Sequence, residues 1–301
     1  AMPYVPLKDG QSLHVRVIGR GRPVVLLHGF GSRGAHWLPN ILPHAGRYRF
    51  FLPDLRGFGG SHHASLDGRD VFSTYASDLQ EVLDHFELDK VILGGISTGA
   101  FTCLVYNHDH GFSRVSRYLN IEHGPDSRSS ETLAGIFSHR QAEIFARFRQ
   151  LLVLAQAAGH GTAYWDLPAE VRVQFRDTTS ALFRRALNQP GSRLVVTLMA
   201  RLMERALTKY FMPVEKWWTY LHVMSAFMEG KDTRPALAGI TIPTTLMMGR
   251  HSRFFSVESQ MEIARHVPHA RVVIFEKSGH IPILDEPLHF QRQFSAFLAQ
   301  E

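Results

Sequence analysis

The stretch that decides the fold is Lys90-Val91-Ile92-Leu93-Gly94-Gly95-Ile96-Ser97-Thr98-Gly99, an apolar run that leads into the pattern G-x-S-x-G. The apolar run predicts a buried strand, and the residues after Gly99 begin a helical pattern. A serine on such a strand-to-helix turn has strained dihedrals and an exposed Oγ, and the glycines on either side let strand and helix pass without a clash. The sequence therefore predicts Ser97 as a nucleophile.

Short apolar runs and helical patterns alternate on both sides of this turn. Buried strands are predicted at 24–27 and 48–52 upstream, and at 242–249 and 270–275 far downstream, with an amphipathic helix at 73–86. Strands that alternate with helices favour a mostly parallel sheet covered by helices on both faces. We therefore predict an α/β fold.

The alternation stops between Asp126 and Lys231, where only helical patterns occur. These helices are predicted at 129–158, 168–188, 192–209 and 214–229, with breaks at 159–161 and 189–191. The sequence thus predicts an α/β core made of 1–125 and 232–301, with a helical lid at 126–231. Such an insert would lie over the carboxyl ends of the strands, where open parallel sheets bind ligands.

Four motifs in this order resemble the α/β-hydrolase superfamily, and the resemblance covers the whole chain. They are His28-Gly29-Phe30-Gly31, Asp54-Leu55-Arg56-Gly57-Phe58-Gly59-Gly60-Ser61, the turn around Ser97, and Ser278-Gly279-His280. The resemblance implies that His280 is the general base for Ser97, since a serine hydroxyl needs a base to become nucleophilic. It also implies that the backbone amides of Phe30 and Thr98 form the oxyanion hole.

The acid that orients the histidine is not where many members of the superfamily carry it. There a G-x-x-D pattern is expected, whereas this chain reads Gly249-Arg250-His251-Ser252, and neither Asp nor Glu occurs from 249 to 257. One interpretation moves the acid to Glu122, at the end of the preceding core strand, an arrangement that resembles haloalkane dehalogenases and some lipases. Asp126 is a lesser candidate. The other interpretation is an incomplete triad, in a slow enzyme or a small-molecule binder.

The residue at the turn narrows the chemistry. Dehalogenases and epoxide hydrolases of this fold use Asp where this chain has Ser97, so the resemblance favours hydrolysis of an acyl bond. A carboxylic ester is the first expectation, with a thioester, lactone, amide or activated C–C bond as alternatives. The lid is rich in aromatic residues, which predicts a small hydrophobic acyl substrate. A non-catalytic receptor on the same fold remains the rival class.

Composition limits the other possibilities. The net charge of +6 is spread along the chain without a basic block, so no nucleic-acid partner is expected. His62-His63 and His108-Asp109-His110 lack further ligands at a recognisable spacing, and neither a metal nor a cofactor is predicted. No apolar run is long enough for an integral membrane segment. The single cysteine, Cys103, and a start without a secretory pattern lead us to expect a cytoplasmic protein. The oligomeric state is not predicted.

Overall fold

A computed structural model of the protein describes residues 4–160, 162–202 and 217–300. Its centre is an eight-stranded sheet with the strand order β1-β2-β4-β3-β5-β6-β7-β8. The strands are β1 Tyr4–Pro6, β2 Ser12–Gly19, β3 Arg22–Leu27, β4 Tyr48–Pro53, β5 Val91–Ile96, β6 Val115–Ile121, β7 Thr244–Gly249 and β8 Arg271–Phe275. The pairs β1–β2 and β2–β4 are antiparallel, and all other neighbours are parallel. The predicted mostly parallel α/β fold is therefore confirmed.

Helices cover both faces of the sheet. They are α1 Leu38–Ile41, α2 Val71–His85, α3 Thr98–His110, α4 Gln141–Ala158, α5 Ala169–Ala186, α6 Pro190–Leu202, α7 Trp217–Glu229, α8 Arg234–Leu237, α9 Val257–His266, α10 Pro282–Asp285 and α11 Pro287–Leu298. In β3, Val24 and Leu26 pack on the face covered by α11, whereas Val25 and Leu27 pack on the opposite face. This alternation follows from the two-residue period of a strand, and it explains why buried parallel strands are apolar throughout.

Between β6 and β7 the described chain consists of the helices α4, α5, α6, α7 and α8 and the loops that join them. The first helix begins at Gln141, later than the predicted start at 129, because the preceding segment folds as a tight loop. In that loop Gly135 lies so close to the Ser127 carbonyl that a Cβ would stand 2.4 Å from it, and Phe137 and Ser138 have positive φ angles. The predicted ends of two helices, at 203–209 and 214–216, fall outside the described residues.

Among the described residues, no helix combines the length and the apolar character needed to cross a membrane.

The turn between β5 and α3 depends on two glycines, as the sequence predicts. Ser97 lies at its apex with φ 54° and ψ −117°, a conformation that non-glycine residues rarely adopt. A Cβ on Gly95 would stand 2.4 Å from the backbone of Gly99, and a Cβ on Gly99 would stand 2.4 Å from the Leu27 carbonyl oxygen. The close approach of α3 to the ends of β3 and β5 is therefore possible only with glycine at both positions.

We expect Gly99→Ala to lower the free energy of unfolding by at least about 2 kcal/mol, because the new methyl group meets rigid backbone rather than a side chain that can move aside. Denaturation in urea measures this loss. Gly46→Ala is the control, since a Cβ at Gly46 meets nothing within 4 Å, and it should change the value by less than about 0.5 kcal/mol. Equal stability of the two variants would contradict the proposed backbone contact.

Candidate active site

Ser97, His280 and Glu122, which the sequence predicts to act together, are brought together in the structure. The Ser97 Oγ lies 2.9 Å from Nε2 of His280, and Nδ1 of His280 lies 2.9 Å from Oε1 of Glu122. Ser97 comes from the end of β5, Glu122 from the end of β6 and His280 from the loop after β8. The parallel sheet explains the meeting, because the carboxyl ends of neighbouring strands lie at one edge.

The backbone amides of Ser97 and Glu122 are hydrogen-bonded to neighbouring strands. The Ser97 amide donates to the Ile121 carbonyl at 2.9 Å, and the Glu122 amide donates to the Met247 carbonyl at 2.9 Å. Glu122 has a φ of 58°, which is unusual for a residue with a Cβ. These bonds hold two strained residues in place, so that the two side chains approach His280 from adjacent strand ends.

The Glu122 side chain is fully buried and its carboxylate accepts four hydrogen bonds. Besides His280, Oε1 accepts from the Ser252 hydroxyl, while Oε2 accepts from the Gly249 amide at 2.8 Å and from Nε2 of Gln260 at 2.6 Å. A buried carboxylate is costly unless donors surround it. Here every partner is a donor, which matches the needs of an ionised carboxylate.

Ser252 occupies the position where the sequence comparison with the superfamily leads one to expect the acid. Its Oγ accepts the amides of Phe254 at 3.3 Å and Phe255 at 3.2 Å, so that its own hydrogen points to Glu122. The side chain that replaces the expected aspartate thus holds the carboxylate that comes from β6.

His280 is held in one orientation by contacts on several sides. Its backbone amide donates to the Ala186 carbonyl at 2.8 Å, and the Phe254 ring stacks on the imidazole with centroids 4.0 Å apart. Because a carboxylate only accepts hydrogen bonds, the network assigns the ring proton to Nδ1. Nε2 is then free to accept the hydrogen of the Ser97 hydroxyl, which is the arrangement that a general base requires.

The amides of Phe30 and Thr98 are the predicted oxyanion donors. Thr98 follows Ser97 directly, and Gly29, the residue before Phe30, lies next to Ser97. Thr98 is the first residue of α3, where the helix has no carbonyl of its own to accept that N–H. Within the described part of the chain, neither amide donates to another protein group. Both N–H groups are therefore available to an oxygen atom bound beside Ser97.

Other residues singled out in the sequence have structural contacts. His28 accepts the Leu55 amide through Nε2 and donates from Nδ1 to the Gly29 carbonyl, which orients the loop that carries Phe30. Burial lowers the pKa of His28, which keeps the ring neutral for these two bonds. Asp126 accepts the amides of Arg128 and Lys231 rather than contacting His280.

Asp54 and Arg56 support the loop next to the site. Burial by itself would raise the pKa of Asp54, but hydrogen bonds from His14 and from the amides of Gly34 and Gly60 lower it below its ordinary value. Arg56 forms a bidentate bond to Asp78. Through these contacts Asp54 is bonded to β2 and to the loops at Gly34 and Gly60, and Arg56 is bonded to α2.

Two contributors to the site were not predicted from the sequence, namely Gln260 and the Gly249 amide. Gln260 lies on α9, in a helix whose pattern predicts only an amphipathic surface. No local motif marks it, because its partner Glu122 is 138 residues away in the chain. The only sign in the sequence that the carboxylate comes from elsewhere is Ser252, which stands where the G-x-x-D pattern has an aspartate.

The family model for the α/β hydrolase fold matches residues 22–287 of the chain. The chain therefore belongs to the α/β-hydrolase superfamily. It is 26% identical over 295 residues to an AB hydrolase superfamily protein of Bacillus subtilis, with 94% of each chain covered. It is 23% identical to the pimeloyl-[acyl-carrier protein] methyl ester esterase of Aliivibrio salmonicida, covering 96% of this chain and 97% of the esterase. An esterase from Exiguobacterium antarcticum has a similar structure, with a TM-score of 0.76, 21% identity and 99% of each chain covered.

His123, the neighbour of Glu122, gives this region a dependence on pH. Its ring is fully buried, stacks on Phe101 with centroids 4.5 Å apart and donates from Nδ1 to the Gly124 carbonyl. Burial lowers the pKa of His123 from its ordinary 6.5 to about 3. Between these two values the unfolded chain binds a proton that the folded protein does not, so the folded state loses stability as the pH falls through this window.

We expect the free energy of unfolding to fall more steeply below pH 6.5 in the native protein than in His123→Phe, by at most about 1.4 kcal/mol per pH unit. Urea denaturation at a series of pH values measures both slopes. The same substitution at the exposed His85 is the control for the loss of one histidine and should change the slope less. Identical slopes for native protein and His123→Phe would show that His123 takes up its proton in the folded state.

Proposed function

We propose that the protein is a serine hydrolase that cleaves an acyl bond, most simply the carboxylic ester of a small hydrophobic molecule. The observation that carries this proposal is the continuous chain of hydrogen bonds from Ser97 Oγ through His280 to the buried Glu122, with 2.9 Å at each step. Nucleophile, base and orienting carboxylate are the three parts that acyl transfer through a serine requires.

The reaction follows from the assigned protons. Nε2 of His280 removes the hydroxyl proton of Ser97 as Oγ attacks the carbonyl carbon. The tetrahedral intermediate then collapses, the C–O bond to the alcohol breaks, and His280 returns the proton to the leaving alcohol oxygen. A water molecule, deprotonated by His280, then attacks the acyl-enzyme. The bond between the acyl carbon and Oγ of Ser97 breaks, His280 returns the proton to Oγ, and the acid is released. Glu122 keeps the proton on Nδ1 and stabilises the imidazolium in both halves.

The proposed oxyanion hole consists of the amides of Phe30 and Thr98. The oxygen that becomes negative needs N–H donors that are in place before the reaction. The Thr98 amide stands at the beginning of α3, where the helix dipole adds a partial positive charge. Phe30 is held by the His28 bonds behind it, so this donor is also fixed in advance.

We further propose that residues 126–231 form a lid and that residues 1–125 and 232–301 form the α/β core. Three contacts between the proposed lid and the proposed core support this arrangement. The Ala186 carbonyl at the end of α5 accepts the amide of His280, and the Tyr220 ring of α7 packs on Phe30 with centroids 4.3 Å apart. Phe227 also lies against Phe30. The aromatic surface beside the proposed oxyanion hole suits an apolar acyl group.

The rival function, a receptor without catalysis, rested on the serine at position 252. That argument loses its weight when the carboxylate of Glu122 lies within hydrogen-bond distance of His280. The similar proteins from Aliivibrio salmonicida and Exiguobacterium antarcticum are both esterases, which also favours ester hydrolysis. We therefore place the enzyme ahead of the receptor.

A fluorophosphonate probe tests the proposed nucleophile. We expect stoichiometric labelling of the native chain, measured by intact mass, and none of Ser97→Ala. In Glu122→Gln the labelling rate should fall about 10³- to 10⁴-fold, because the amide no longer stabilises the imidazolium or selects the tautomer. Glu276→Gln is the matched control, since Glu276 is an exposed residue paired with Arg250. Absence of native labelling would overturn the serine-hydrolase proposal and favour the receptor.

The two possible acid positions can be exchanged in one experiment. Ser252 and His280 both contact Oε1 of Glu122, so a carboxylate at position 252 should come within reach of Nδ1. We expect Ser252→Asp in the Glu122→Gln background to recover at least about 10-fold in ester hydrolysis, as a charge-assisted hydrogen bond is regained. Ser252→Asn in the same background is the control. If Asp restores no more activity than Asn, the orienting carboxylate does not act as proposed.

A further inference from the structure

A cavity of about 440 Å³ lies near His280, between the loop before α4, the end of α5 and the loop after β7. We call it the arginine cavity, because Arg140, Arg185 and Arg253 line it together with His139. Neither the nucleophile nor the proposed oxyanion donors are among its lining residues. The mechanism described above leaves its charged groups without a role.

The positive charge of the arginine cavity is only partly compensated. Arg140 pairs with Glu143 at 3.1 Å, and both side chains are exposed. In residues 4–160, 162–202 and 217–300, no carboxylate forms an ion pair with Arg185 or Arg253, and no hydrogen bond from either guanidinium is found. Two arginines from different segments of the chain therefore face one space with no anion between them.

Arg253 is exposed and Arg185 is half-buried, so the repulsion between the two charges bears mainly on Arg185. Burial, and then the positive charges of Arg140 and Arg253, lower the pKa of Arg185 from its ordinary value. Nearby like charges disfavour the charged form of a partly buried group, which a bound counterion would offset. A bound anion would remove the repulsion and satisfy the guanidinium donors, which match carboxylate and phosphate oxygens in geometry.

The arginine cavity and the proposed hydrolytic site share two residues. Phe254 lines the cavity and stacks on the imidazole of His280 at 4.0 Å. Ser252 lines the cavity and donates to Glu122. An anionic group in this cavity therefore lies close enough to belong to the same molecule as the acyl group at Ser97.

From this geometry we propose that the arginine cavity is a substrate subsite, in which Arg185 and Arg253 bind an anionic oxygen group, a carboxylate or a phosphate, remote from the bond that is cleaved. The inference rests on the proposed acyl hydrolysis at Ser97 and narrows its substrate class. The substrate has an apolar chain against the aromatic surface near Phe30 and a negative charge at its far end. Phe254, between the two regions, separates the charged end from the reacting carbonyl.

The test measures binding and turnover separately. In the Ser97→Ala background, calorimetry gives the Kd of 4-nitrophenyl half-esters of straight-chain dicarboxylic acids with six to nine carbons, and of the same esters with a terminal carboxamide. The carboxylate compound of the best length should bind at least about 10-fold more tightly than its carboxamide, because only the carboxylate accepts charge-assisted hydrogen bonds from the guanidinium groups. A third series with a terminal phosphate tells which anion the cavity prefers.

Substitution of the two arginines should remove this preference. We expect Arg185→Gln together with Arg253→Gln to bring the Kd values of the charged and neutral esters within about 3-fold of each other, mainly by weakening the charged one. Arg184→Gln is the matched control, because it removes one charge from the same helix at a residue that does not line the cavity. Its ratio of the two Kd values should stay within about 2-fold of that of the parent.

Three results would overturn the subsite: equal Kd values for charged and neutral esters, a preference that survives the double substitution, or an equal loss in Arg184→Gln. Failure of the proposed function is recognised independently. Turnover of the neutral carboxamide ester by the native chain, and its loss in Ser97→Ala, test hydrolysis without involving the arginines. Binding in the Ser97→Ala background tests the subsite even if no ester is hydrolysed.

Discussion

The buried carboxylate of Glu122 is the group on which the site depends. Its four donors come from the end of β7, from the loop after β7, from α9 and from the loop after β8, so that one side chain joins segments far apart in the sequence. Removal of any donor leaves a charge buried with less compensation, and removal of the carboxylate leaves several donors without an acceptor. This mutual dependence orders the loop that carries His280 and gives the imidazole one tautomer.

The helical segment between β6 and β7 is connected to the same group of residues. The Asp285 carboxylate accepts the amides of Asn188 and Gln189, which follow α5, and also the amide of Gly279. The backbone next to His280 is thus bonded to the end of α5 through the amide of His280, and to the residues after α5 through Asp285. Movement of the helices would therefore displace the imidazole, which links the geometry of the proposed lid to the protonation chemistry at Ser97.

Strain and repulsion are concentrated around this site. Ser97 and Glu122 have positive φ angles, and Arg185 and Arg253 approach each other without a counterion in the described chain. Elsewhere in the sheet the strands pack in the ordinary way, with apolar residues on both faces. The packing of the core therefore offsets the strain at Ser97 and Glu122.

The sequence by itself determined the parallel α/β fold, the turn at Ser97 and the loop position of His280, because each is written in residues that lie close together in the chain. It narrowed the acid to Glu122 or Asp126, or to no acid at all. Only the tertiary structure places the Glu122 carboxylate, rather than that of Asp126, against His280, because it brings Glu122 to Ser252 and Gln260 across 130 and 138 residues. The arginine cavity likewise could not be predicted from the sequence, because no regular spacing relates Arg140, Arg185 and Arg253. Their charges lie near one another only because the fold brings three distant segments of the chain together.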